Sequence, residues 1–169
     1  MVSSLPTSVT RSLLLVLALS LLATASGCYR FALSDIEPGS VYLVALTNRT
    51  FYREFDEQLN SDLAAVFART SGFTIAKNRE GADLIVSGEI QSVSKSVIRT
   101  GEGSMPLEYL YGCLVSVQVH DTRKETQRTL EVKRSWRYLP PYGEDELTAL
   151  TGLSLFMAEE TVRSITRQW

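Results

Sequence analysis

Few residues of this chain could do chemistry, and their spacing decides which kind. His120 is the single histidine, and Asp121 is the acid adjacent to it. A histidine base needs that acid on its own side, whereas neighbouring residues of a strand point to opposite faces. Glu159 and Glu160 are adjacent carboxylates in a helical pattern and read as a solvated helix edge, not as an acid/base pair across a glycosidic bond. Gly101-Glu102-Gly103 lacks the third glycine and the strand–turn–helix setting of a dinucleotide loop, so it reads as a flexible loop. No G-x-S-x-G, P-loop or H-E-x-x-H pattern occurs. One histidine and two cysteines are too few for most zinc sites, iron–sulfur clusters or a disulfide framework. No cofactor, no metal and no enzymatic activity are expected.

The two cysteines point elsewhere. Leu13 to Ala23 is an uncharged, mostly leucine run that follows Arg11 and precedes Ala25-Ser26-Gly27-Cys28. It is shorter than the roughly 20 residues of a membrane span and suits the core of a signal peptide. Small residues directly before a cysteine resemble the bacterial lipobox, in which the thiol is acylated and becomes the first residue of the mature chain. Ala25 stands where leucine is usual. Residues 1–27 are therefore expected to leave as a lipoprotein signal peptide, and Cys28 to carry the lipid. Loss of Arg11 with the leader takes the net charge from −2 to −3. More than one acyl chain makes such anchoring stable. Tyr29 occupies the position where aspartate would retain the protein at the inner membrane, so the outer membrane, on its periplasmic side, is expected. Asn48-Arg49-Thr50 matches a glycosylation sequon, which has no meaning in a bacterial lipoprotein.

The chain has 169 residues, 44% hydrophobic and 21% charged, an ordinary globular composition for one modest domain. Seventeen Lys and Arg against nineteen Asp and Glu offer no general electrostatic reason to bind nucleic acid. Tyr109 to Val119 alternates strictly, with Tyr, Tyr, Cys, Val, Val and Val on the odd positions, which predicts a strand with Cys113 as a small hydrophobe on its apolar face. Val41–Leu46 reads as a short buried strand and Phe73–Ala76 as an edge strand. From Ala82 another strand carries Leu84, Val86, Gly88 and Ile90 on one face. Val93 and Val97 fall on the opposite parity, which a bulge between Gly88 and Ser92 would explain. Asp121 to Thr129 reads as a charged turn, before a strand with Leu130, Val132, Trp136 and Tyr138 on its even face and Arg134 interrupting.

Phe51, Phe55, Leu59, Leu63 and Phe67 recur every four residues and predict a first helix. A second follows Pro140-Pro141-Tyr142-Gly143, with Leu150, Leu153, Met157, Ala158, Val162, Ile165 and Trp169 on one stripe. The order β-α-β-β-β-β-α implies an α+β two-layer sandwich. Its sheet should be mainly antiparallel, with both helices on one face. Residues 28–40 form a tether and 41–169 the single domain. The helix-free face, bearing Leu110, Leu114 and Leu139 among polar groups, is a candidate docking surface.

Cys28 followed by Tyr29-Arg30-Phe31, a strand, Asn48-Arg49-Thr50-Phe51, a helix and Ala82-Asp83-Leu84-Ile85-Val86-Ser87-Gly88-Glu89-Ile90 resembles the LPS-assembly lipoprotein LptE family. Related patterns also resemble the LpoB activators of peptidoglycan synthases and CsgG-type subunits. The LptE resemblance implies an outer-membrane lipoprotein that plugs and helps assemble the LptD β-barrel and contacts lipopolysaccharide during its insertion. It implies a polar body for a polar lumen and cations for lipid A phosphates. The candidate cations are Lys95 and Arg99 near one strand end, and Arg123, Lys124, Arg128, Lys133 and Arg134 around the charged turn.

Overall fold

The computed structural model of the protein describes residues 39–167. The leader 1–27, the lipidation site Cys28, the tether up to residue 38 and Trp169 lie outside the described residues. Six strands and two helices follow in the order β1 (Gly39–Leu43), β2 (Thr47–Asn48), α1 (Phe55–Arg69), β3 (Phe73–Ile75), β4 (Leu84–Thr100), β5 (Pro106–Asp121), β6 (Thr126–Tyr138) and α2 (Glu146–Arg167). They form one mixed sheet in the order β3-β1-β4-β5-β6, with the two-residue β2 added to β4. The short strands β1, β2 and β3 pair in parallel, and the long β4, β5 and β6 pair antiparallel.

Alternation in β5 builds the core. Tyr111, Cys113, Val115, Val117 and Val119 are all buried on one face. Against them pack Phe55, Leu59, Leu63, Val66 and Phe67 of α1 and Ala149, Leu153, Met157, Ala158, Val162 and Ile165 of α2. All belong to one continuous apolar cluster, so both helices cover the same side of the sheet. Each large side chain fully buried there stabilises the fold by about 1.5–3 kcal/mol relative to exposure. Burial also pushes the Cys113 thiol up to about 12, which keeps it protonated and inert. The α+β sandwich expected from the sequence is present.

The phase slip in β4 is a bulge: the register with β5 shifts between Ile90 and Ser92, leaving Gln91 over. Gly88 sits just before it. A Cβ there would lie 2.3 Å from the Ser116 carbonyl oxygen, so the close approach of β4 to β5 requires glycine.

Several boundaries differ from the sequence reading. β1 begins at Gly39, so Gly39 and Ser40 belong to the sheet and not to the tether. It stops at Leu43, and after three residues outside any strand the chain rejoins β4 as β2. Phe51 is fully exposed (102%) and stands outside the α1 stripe, because the helix starts only at Phe55. Asn48 accounts for that delay. Its Oδ1 accepts from Thr50 N–H (2.9 Å) and Thr50 Oγ (2.8 Å), and its Nδ2 donates to Tyr52 O and to Asp56 Oδ1. The Asn-x-Thr motif is thus a side-chain-bonded turn that leads into α1. The charged turn is also shorter than expected, since β5 runs to Asp121 and β6 starts at Thr126. Glu160 is buried, not solvated. It bridges Arg134 of β6 at 2.5 Å and Arg163 at 3.0 Å, which explains the arginine on the otherwise apolar face of β6.

Candidate functional site: the helix-free face

The residues that alternate with the core of β5 form the other face of the sheet. Register sets Ser96 beside Leu110 beside Arg137, Ser94 beside Gly112 beside Ser135, and Ser92 beside Leu114 beside Lys133. Directly paired residues share a face, so small side chains line up across three strands. They floor an open groove of about 450 Å³ lined by Ser94, Ser96, Leu110, Gly112, Lys133, Arg134, Ser135 and Phe156. Arg134, which shares the core-side face with Cys113, and Phe156 of α2 come to it from the helix side. Hydroxyls, two cations and two apolar side chains thus meet in one concavity. Such a lining suits a ligand with both acceptor oxygens and hydrocarbon.

The seven cations singled out from the sequence do not form one patch. Arg123 and Lys124 sit in the β5–β6 turn, whereas Lys133 and Arg134 lie about 25 Å along β6 from its start at Thr126. Arg128 stands opposite Val119, close to the turn. Arg123 lies 3.8 Å from Asp83 and from Asp121, and Asp121 also accepts the Arg123 and Lys124 backbone N–H groups. Asp83 accepts from Ser40 N–H (2.7 Å) and Ser40 Oγ (2.9 Å), and these bonds, with Arg123 nearby, hold its carboxyl below the ordinary range. Arg99 pairs with Glu108 at 3.5 Å, which Arg137 shares at 3.7 Å.

Lys95 turns to the helix side. Its ammonium lies 2.8 Å from Glu146 at the start of α2 and 4.7–5.6 Å from the ring centroids of Tyr109, Tyr111 and Tyr138. Burial opposes its charge, but hydrogen bonds to Glu146, Tyr138 and Tyr111 outweigh that, and its pKa stands above the ordinary lysine value. The Tyr111 hydroxyl donates to the same carboxylate. Burial first, and that bond second, raise the Tyr111 phenol. Lys95 is therefore a strut between the sheet and α2.

Arg134 is held by Glu160, with its guanidinium 5.9 Å from the Phe156 ring centroid. Lys133 forms no ion pair among the described residues. Of the seven, Lys133 and Arg134 are the two that line the groove. The sequence reading missed Ser94, Ser96, Gly112, Ser135 and Phe156. The Ser-x-Ser-x-Ser spacing at 92, 94 and 96 was the legible signal, but the floor exists only through the register of three strands. His120 and Asp121 keep their opposite-face placement, with Asp121 buried against the turn. Among the described residues, no group of three or more His, Cys, Asp or Glu is placed to hold a metal ion.

Neither a protein-family model nor a curated protein matches this sequence. Solved structures do. The hypothetical protein CT253 from Chlamydia trachomatis is 12% identical with a TM-score of 0.57, covering 76% of this chain and 95% of its own. The PelC dodecamer from Paraburkholderia phytofirmans is 15% identical with a TM-score of 0.50, covering 78% and 90%. Lipoproteins are among the structural neighbours too: rare lipoprotein B from Shewanella oneidensis is 14% identical with a TM-score of 0.45, covering 76% and 95%. At these identities, what the chain shares with CT253 and PelC is the fold.

Proposed function

We propose that this chain is a lipid-anchored outer-membrane lipoprotein that occupies the lumen of an LptD-type β-barrel, helps assemble it and assists lipopolysaccharide insertion. The observation that carries this reading is the groove on the helix-free face. Lys133 supplies charge for phosphate beside Arg134, which Glu160 already pairs, Ser94, Ser96 and Ser135 supply hydroxyl donors, and Leu110 and Phe156 supply contact for acyl chain. A polar, small-residue face also suits the polar interior of a barrel. The LptE resemblance and Cys28 in its lipobox-like setting support the same reading. From Cys28 to Gly39 the leash spans about 40 Å at most when extended, which keeps the domain beside the membrane that anchors it.

The test is affinity recovery of the full lipidated chain from detergent-solubilised outer membranes, with mass spectrometry of what accompanies it. A large β-barrel in near-equal amount supports the proposal. A peptidoglycan synthase without a barrel replaces it with the LpoB-like role, and a bare lipoprotein overturns it. Lipopolysaccharide contact is tested by Lys133→Ala with Ser135→Ala, for which weaker binding of lipopolysaccharide micelles is expected. A second variant, with Arg123, Lys124 and Arg128 replaced by alanine, asks whether the distant turn contributes as well.

A further inference from the structure

The two long edges of the sheet are built differently. β6 is an outer strand, and Arg128, Glu131, Lys133, Arg134 and Arg137 give it five charges in thirteen residues. Charge on an edge opposes the addition of another strand. The upper half of β4 is also an edge. On the side away from β5, β1 pairs with it at Leu84–Val86 and β2 at Glu89–Ile90. Arg49 N–H to Ile90 O is the last backbone hydrogen bond on that side, and among the described residues no strand pairs with Gln91–Thr100 there. Gln91–Ile98 spans about 26 Å, and its only charge, Lys95, is already neutralised by Glu146. Val97 (45%) and Ile98 (44%) are exposed side by side, one on each face of the ribbon. At the lower end of this edge, Arg49, Thr50 and the exposed Phe51 face Gln91–Val93 across a hollow of about 210 Å³, large enough for a side chain.

We infer that the Gln91–Ile98 edge of β4 accepts an extended, uncharged segment of the β-barrel partner as an added strand, continuing the line that β1 and β2 begin. The inference rests on the proposed barrel partner and names the surface that would hold it. N–H and C=O groups in a row that no described strand takes up offer main-chain hydrogen bonds to any extended peptide. Val97, Ile98 and the hollow beside Phe51 select apolar side chains on both faces of the added strand. The absence of repelling charge distinguishes this edge from β6.

The experiment places lysine on the edge, at two residues that do not line the groove, with Ser92→Lys and Val97→Lys in the full lipidated chain. A control, Thr129→Lys, adds the same charge to β6. Recovery of the barrel is compared with the unaltered chain, and thermal unfolding confirms that each domain stays folded. With two or more net hydrogen bonds at stake, barrel recovery is expected to fall at least about tenfold for the β4 variants and to stay unchanged for the β6 control. Undiminished recovery with the β4 variants overturns the edge while leaving the barrel reading intact. If the unaltered chain recovers no barrel, the functional reading fails and takes the edge with it. A photoreactive residue at position 97 supplies an independent readout should a lysine variant unfold. Crosslinks to the barrel support the inference, and crosslinks to a second copy of this chain, or none, overturn it.

Discussion

Adjacent residues of β5 have opposite fates. Tyr111 is fully buried, stacked on Tyr138 at 5.7 Å and edge-on to Tyr52 at 5.9 Å, and hydrogen-bonded to Glu146. Leu110, one residue earlier, is half-buried on the face that no helix covers and lines the groove. One strand thus supplies both the interior and the candidate binding surface, because its period of two sends alternate side chains to different surroundings. The difference teaches that the two faces carry different obligations. The helix side must be filled and satisfied, whereas the open side must stay small, polar and accessible.

Substitutions can break that contrast, and the largest effect belongs to the helix side. Tyr111→Ala leaves a cavity and removes one of the two partners of the Glu146 carboxylate, which keeps Lys95, so a loss of about 4 kcal/mol in urea unfolding is expected, chiefly from the cavity. The matching change on the open face, Leu110→Ala, should cost well under about 1 kcal/mol; similar values for both would abolish the distinction. Gly88→Ala comes next. Its methyl would press on the Ser116 carbonyl, and a loss of about 2 kcal/mol is expected, with the β4–β5 amides exchanging faster in hydrogen-exchange measurements.

A smaller effect concerns pH. The hydrogen bonds from Lys95 and then Tyr111 hold Glu146 below the ordinary glutamate range. A carboxylate depressed in the folded state contributes stability that is present above its unfolded pKa and is lost as pH falls through the folded one. Urea midpoints measured down through the acid range should therefore converge for the unaltered chain and Glu146→Gln. The carboxylate is about half exposed, so the gap at neutral pH should not exceed about 1 kcal/mol. Smallest of all is Lys133→Ala. Its stability should change by less than about 0.5 kcal/mol, while binding of lipopolysaccharide falls, and a reversed pattern would return Lys133 to a structural role.

The fold was legible where a pattern was local. Alternation in β5, the stripes of α1 and α2 and the parity slip in β4 are each properties of one segment, and each element formed as its pattern required. Phe51 misled because four-residue spacing continues past a helix end, and only the Asn48 turn shows where α1 can start. Glu160 misled because a helix edge looks solvated until a facing strand brings an arginine to it.

The candidate site was less legible for the same reason. Residue types along the chain determined two amphipathic helices, an alternating strand, a lipobox-like cysteine and the absence of familiar catalytic motifs. Only the tertiary structure decided that Lys133 and Arg134 share a groove with Ser94, Ser96 and Ser135 while Lys95 is locked against α2. It also decided that β6 is a charged edge and that, among the described residues, no strand covers the upper half of β4 on its outer side. Periodicity is set by the backbone of a single segment. Register, facing partners and open edges depend on which strands come together, and that is a property of the whole sheet.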